Sequence, residues 1–197
     1  MAEDSKTIDF FDDDAAEQAD RIYRASVDEC ARERRDRFLS NRTTGHARYI
    51  LERIFEYAES EVRLWTNGMP REENGEPMYA SADLIDAAMV FLGKPNTRLS
   101  IVVNGHIDVD EGQSLYDHPF LGAVLRHEHA DSQVRVVHVH NPDDADHVLD
   151  VRGFVVMDES GYRAEIDDGS RAVVNFGDRE VAGSLVATFE TVAGYAK

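Results

Sequence analysis

The chain has one cysteine, Cys30, among 197 residues. That excludes an internal disulfide and fits a reducing compartment. It also lacks a long apolar run. Ile101–Val103, Phe154–Met157 and Ala172–Val174 are far shorter than the ~20 residues a bilayer-spanning helix needs. The opening residues, MAEDSKTIDFFDDD, contain neither the basic nor the apolar region of a secretory signal, so the cytoplasm is the expected location and no membrane contact is expected. There is no Gly-rich phosphate loop and no Gly-x-Ser-x-Gly elbow. Most of all, the chain is short of positive charge: 39 Asp and Glu face 21 Lys and Arg, a formal net charge of −18. Nucleic-acid affinity depends on cations that neutralise phosphates, so direct nucleic-acid binding is not expected.

The charge is unevenly spread. Residues 1–20 hold eight acids against Lys6, residues 21–53 hold nine arginines against five acids, and Asn104–Asp168 hold fifteen acids against four arginines. An arginine-rich arm therefore sits between an acidic tail and an acidic body. The arm reads first as a solvated helix pairing with its own acids, and second as a docking surface for an acidic protein partner, with Asp12–Asp14 competing for it in cis.

Residues 1–18 read as a flexible acidic tail. Asp20 to Phe38 favours helix, with a thin apolar stripe of Ile22, Tyr23, Val27, Cys30, Ala31 and Phe38. A second helix, His46 to Ser60, places Ala47, Ile50, Leu51, Ile54, Phe55 and Ala58 at the spacing that turns one apolar face to a core. The pattern then alternates. Glu61–Thr66 reads as a strand, Ser81–Leu92 as a helix, Arg98–Asn104 as a strand, Asp117–His127 as a short helix and Val134–His140 as a strand. Short connections between such elements argue for a mainly parallel sheet covered by helices. The ending departs from that rhythm. Gly153–Met157 and Gly161–Ile166 flank a hairpin turn, Arg171–Phe176 adds a strand, and Asp178 caps a closing helix.

This order of elements, from Glu61 to Tyr195, resembles a half-domain of the phospholipase D-like superfamily. That fold ends in a strand hairpin bearing a His-x-Lys-x4-Asp signature, and FVVMDESGYRAE is similar to its second half. Placing Asp158 at the motif aspartate sets Val151 at the histidine position and Gly153 at the lysine position. Neither side chain can attack phosphorus or neutralise its oxygens. The resemblance therefore implies the fold with its catalytic residues gone, and a homodimer, because the family's half-domains commonly pair.

Two further constellations carry chemistry. Asn104-Gly-His-Ile-Asp-Val109, with Asp117-His-Pro-Phe120 downstream, is similar to the first zinc segment of aminoacylase/carboxypeptidase-like metallopeptidases, where His106 would bind metal and Asp108 would orient it. The remaining motifs of that family are missing, and a polar loop is the expected reading. His138 and His140 share one strand face, and Asp143, Asp144 and His147 follow them. The carboxyl ends of strands are where open α/β sheets bind ligands. The ligand-binding candidates are His138, His140, Asp158 and Arg163. The alternative metal set is His138, His140, Asp143 and Asp144, holding a divalent transition metal. Cys30 reads as a buried inert thiol, and Trp65 as packed under the Asn67–Pro77 loop.

The sequence thus leads to an α/β fold: a mainly parallel mixed sheet flanked by helices, phospholipase D-like, over 61–197, with a helical N-terminal arm over 19–60. It predicts a non-catalytic binding or regulatory protein that needs no cofactor and engages a protein partner or small ligand. The alternatives are a metal-dependent phosphodiesterase using His138 and His140, and an acidic nucleic-acid mimic that inhibits a basic partner.

Overall fold

The computed structural model describes residues 10–139, 152–167 and 171–195. The first helix, α1 (Phe10–Glu33), begins ten residues before the expected Asp20, so residues 10–18 are helical rather than a tail. Asp12–Asp14 fall in its first turns, where the partial positive charge of a helix N-terminus favours acids. The chain leaves α1 through Arg34, whose φ of 51 breaks the helix, and forms the short strand β1 (Leu39–Asn41). Thr43 then caps α2 (Thr44–Tyr57) by accepting the His46 amide. The periodic residues Ala47, Ile50, Leu51, Ile54 and Phe55 of α2 are all buried, as their spacing predicts.

β2 (Glu61–Met69) runs three residues past the expected end at Thr66, because a bulge between Thr66 and Gly68 lets it resume pairing. β3 (Glu72–Glu73) and β4 (Glu76–Pro77) form a small hairpin about Asn74-Gly75, both at positive φ. Ser81 caps α3 (Ala82–Leu92), which leads to β5 (Arg98–Ile107). A 3-10 turn at Leu115–Asp117, α4 (Pro119–Leu125) and α5 (Ala130–Gln133) precede β6 (Val134–His138). The closing elements are β7 (Phe154–Met157), β8 (Gly161–Glu165), β9 (Ala172–Asn175) and α6 (Arg179–Tyr195).

Seven strands form one mixed sheet in the order β1-β9-β8-β7-β2-β5-β6. β2, β5 and β6 are mutually parallel, and β7, β8, β9 and β1 alternate in direction beyond them. Five of the seven strands therefore point the same way, in the mixed and mainly parallel arrangement expected. β1 comes from the arm and pairs with β9, Leu39 opposite Val174, so the arm is stitched into the sheet itself.

Alternation along β2 gives the sheet two different faces. Val62 and Leu64 face the larger core, with α1, α2, α3 and α4. Trp65 turns the other way, against Phe154, Phe189 and Val192 beneath α6. It does not pack under the Asn67–Pro77 loop, which lies on the α2 side, where Asn74 reaches Thr44 and Arg48 donates to the Pro77 carbonyl.

A body with a formal charge of −18 repels itself, and salt screens that repulsion over a Debye length of about 10 Å at 0.1 M. The melting temperature should therefore rise as NaCl is raised from 10 mM to 1 M, read by circular dichroism. A flat or falling curve would mean that attractive ion pairs outweigh the net repulsion.

Candidate functional site

A cleft lies at the carboxyl ends of β5 and β6. Its floor is the extension of β5, which the β2 bulge draws close. A Cβ on Gly105 would stand 2.1 Å from the Asn67 carbonyl oxygen, and the residue sits at φ +150, so only glycine fits. Beyond it, residues 108–115 fold back over the strand ends. Asp108 accepts the Arg71 amide at 3.2 Å, Gln113 accepts the Asp110 amide at 3.2 Å, and Asp117 accepts both the amide and the hydroxyl of Ser114. The cleft beneath has a volume of about 790 Å³. Ile107, Val109, Leu115 and Val139 form its apolar lining, and His106, Asp110, Glu111, Gln113, Ser114 and His138 its polar groups. Among the described residues no lysine or arginine lines it.

His138 lines this cleft, and its Nε2 lies 2.8 Å from the Gly105 carbonyl oxygen. A carbonyl can only accept, so Nε2 carries the proton and donates it. His118 is fully buried beside the same strand ends. Its Nε2 donates to the Met69 carbonyl, and its Nδ1 accepts the Leu121 amide. Burial pushes its imidazole below the ordinary value of 6.5, which keeps it a neutral strut between β2 and α4. Asp108 accepts the Arg71 amide, and Asn104–Ile107 belong to β5, paired with Gly68 and Met69, so the metallopeptidase-like segment is a strand end rather than the polar loop expected. Among the described residues no group of three or more His, Cys, Asp or Glu is placed to hold a metal ion. His140, Asp143 and Asp144 lie outside the described residues.

The other candidates are not brought together with His138. Asp158 stands at the amino-terminal end of β2, the far end of the parallel strands. Its carboxylate accepts the amides of Glu59, Ser60 and Glu61, the Ser60 hydroxyl, and Arg34 Nη2, all within 3.0 Å. Its φ of 49 is the left-handed turn conformation that aspartate tolerates better than most residues. Burial alone would raise its pKa, but Arg34 and the three amides win and hold it below the ordinary 3.8.

Arg163 points from β8 into the α2 side of the sheet and is only 6% exposed. It donates from Nε to Asn41 on β1 and from Nη1 to Glu165 at 3.1 Å. Glu165 in turn accepts the Gly153 amide, and a Cβ on Gly153 would stand 2.5 Å from Glu165 Oε2. The space where the resemblance calls for a lysine is thus filled by a carboxylate already paired with Arg163. Val151, at the histidine position, lies outside the described residues.

The arginine-rich helices are largely self-paired. Arg24 meets Asp20 at 2.7 Å, Arg53 meets Glu56 at 2.9 Å, and Arg35 meets Glu29 at 2.9 Å. Arg24 and Arg53 sandwich the Tyr49 ring at 4.7 and 4.8 Å, while Tyr49 donates to Asp28. Cys30 is fully buried, and burial pushes its thiol pKa up, as an inert core cysteine requires.

Sequence reasoning placed the ligand site on the exit of β6 and missed the loop after β5, with Asp110, Glu111, Gln113 and Ser114. The available signal was the strand-end rule applied to β5, with Gly105 as the residue that permits the approach.

No family model matches the sequence, and no curated protein is detectably similar to it. Among solved structures, the archaeal chromatin protein TrmBL2, described as showing a novel mode of DNA binding, superposes with a TM-score of 0.53 at 13% identity. The match covers 94% of this chain and 64% of that one, so the chain spans under two thirds of the length of that protein. Two phospholipase D relatives also resemble the fold. Nuc from Salmonella typhimurium gives a TM-score of 0.48 at 12% identity, covering 79% of this chain and 92% of its own. NucT from Helicobacter pylori gives 0.47 at 9%, covering 79% and 95%. These likenesses concern the fold alone.

A carboxylate whose folded pKa lies below its unfolded value contributes its full stability at neutral pH and loses it as pH falls through the folded value. Asp158→Asn should cost about 3 kcal/mol at pH 7, since it uncouples Arg34 and leaves amides facing a half-matched amide. The gap to the parent should narrow below about pH 4, as the parent's carboxyl protonates. Urea melts at pH 7 and pH 3.5 measure both; an equal gap at the two pH values would refute the carboxylate's role.

Proposed function

We propose that this chain is a non-catalytic binding or regulatory domain on a degenerate phospholipase D-like fold, with its small-ligand site in the cleft at the carboxyl ends of β5 and β6. One observation carries the reading: Glu165 fills the place of the lysine that phosphoryl chemistry would need. A phosphoryl group there would meet a carboxylate instead of a cation, and the Arg163 charge is already spent on that carboxylate and on Asn41.

The cleft itself favours an uncharged or cationic ligand with an apolar portion. Asp110 and Glu111 line it above a floor of aliphatic side chains; Arg71 approaches Asp110 to 3.7 Å from outside the lining, and Glu111 has no ion-pair partner among the described residues. His138 serves as an oriented donor-bearing ring in its wall rather than as a nucleophile. TrmBL2 is described as binding DNA, but this chain is a poor candidate for the same contact: its net charge is −18, and the arginines of α1 and α2 face their own acids. A protein partner is the expected recipient of any signal from the cleft.

Hydrolysis of bis-p-nitrophenyl phosphate, with and without Mn²⁺ or Zn²⁺, should stay at the buffer rate. It should remain there in Val151→His/Gly153→Lys, because the lysine would be neutralised by Glu165. Turnover by the parent that disappears in His138→Ala would overturn the reading. In a thermal-shift screen, hits should be neutral or cationic, and Glu111→Gln should weaken the cationic ones, with the melting temperature of the unliganded variant as the baseline.

A further inference from the structure

Only half of α1 is packed. Val27, Cys30 and Ala31 are fully buried in the main core, whereas residues 14–19, Arg21, Ile22 and Ala25 are exposed, Ile22 at 58%. A helical stretch that touches nothing in its own chain is marginal in water, since most helix stability in proteins comes from packing of one face. The uncovered face has an order of its own. Ala15, Gln18, Ile22, Ala25, Glu29 and Arg32 follow one another at alternating spacings of three and four, the seven-residue repeat of a helix-pairing seam. That line lies on the side of α1 opposite Val27, Cys30 and Ala31.

Charges flank the seam with the same period. Asp14, Arg21, Asp28 and Arg35 stand seven residues apart and alternate in sign. Asp14 and Arg21 have no ion-pair partner among the described residues. Asp28 accepts the Tyr49 hydroxyl and lies 3.7 Å from Arg53, and Arg35, just past the helix end, reaches back to Glu29 and Glu33. Asp14, Arg21 and Asp28 complement a second copy only when it is reversed, so that Arg21 meets Asp28 of that copy and Asp14 faces the segment just past its helix end, where Arg35 stands. In the same register Ile22 packs on Ala25, Gln18 meets Glu29, and Ala15 meets Arg32 of that copy. Parallel pairing would instead stack Glu29 on Glu29 and Arg32 on Arg32 within the seam.

We propose that α1 pairs antiparallel with α1 of a second copy of this chain, forming a two-fold symmetric dimer through this seam. Isologous contact makes each favourable charge pair occur twice. The overlap of the helical residues 14–33 runs for roughly 30 Å. Its polar layers predict a dissociation constant on the order of micromolar rather than nanomolar. The proposal is independent of what the cleft binds.

Sedimentation equilibrium of the full chain tests it, with circular dichroism confirming that the exposed-site variants remain folded. The parent should be a dimer at tens of micromolar, and Ile22→Glu should weaken association at least about tenfold. Arg35→Glu should weaken it as well, by setting like charges at both ends of the seam, and adding Asp14→Arg should restore it. A monomeric parent at 200 μM, or a dimer indifferent to Ile22→Glu, would overturn the proposal. Failure of the double variant to recover would overturn the antiparallel register.

Discussion

The Asp158 carboxylate ties together three segments that are far apart in sequence: the end of α1 through Arg34, the start of β2 through three consecutive amides, and its own β7–β8 turn. Each amide it accepts would otherwise be unpaired where the chain enters the sheet, and leaving such groups unsatisfied costs more than a single hydrogen bond returns. Arg34 spreads the tie further, to the Tyr57 carbonyl and the Ser160 hydroxyl. Close beside it, the backbone at Arg34–Asp36 passes so near Gly177 that a Cβ there would stand 2.4 Å from the Arg34 oxygen, and Asn175 donates to Asp36. The direction in which α1 leaves the body is therefore set by a polar joint, and hydrophobic packing along Val27, Cys30 and Ala31 only has to agree with it.

With the joint fixed, the two ends of the sheet can take different roles. At the amino-terminal end of β2, Asp158 gathers five donors from Arg34, Glu59, Ser60 and Glu61. At the carboxyl end, the polar groups divide. Arg163, Glu165 and Asn41 satisfy one another inside the sheet's α2 face, where a buried arginine without its carboxylate would be strongly destabilising. The groups beyond β5 and β6 line a cleft whose shape is held by bonds between loop side chains and loop amides. Within the sheet, the Arg163–Glu165 pair and its bonds to Asn41 and Gly153 tie β8 to β1 and to the residue before β7.

Much of this was legible in the sequence because it rests on periodicity. α2, α3, β5 and the β7–β8 hairpin follow from apolar spacing, caps and turn residues, and Asp158 was found through the turn it occupies. Its chemistry was not legible, since its five donors come from residues up to 124 positions away. Arg163 was read as a ligand contact because a charged residue in a strand usually faces solvent; nothing local to it announces that Asn41 and Glu165 will satisfy it. The start of α1 was missed for a related reason. Three successive aspartates depress helix propensity in the middle of a helix but suit its first turn, and sequence composition does not say which position they hold. The β5 loop was missed because its fold depends on the approach of β2 at Gly105, a contact between strands.

The same reasoning explains why so acidic a chain keeps so many arginines in one stretch. In the body, acids spread over the surface need no partners beyond water. In α1 and α2 the arginines hold two helices together across a thin apolar stripe, through the Tyr49 sandwich and the pairs with Asp20, Asp28 and Glu56. Exposed pairs of this kind are individually weak, on the order of 0.2–1 kcal/mol, so they orient α1 more than they stabilise it. What they leave over is the informative part. Asp14 and Arg21 have no ion-pair partner among the described residues, yet they continue the seven-residue alternation of sign that Asp28 carries further along α1. A pattern maintained where the monomer gains nothing from it points to a surface that is completed by another helix.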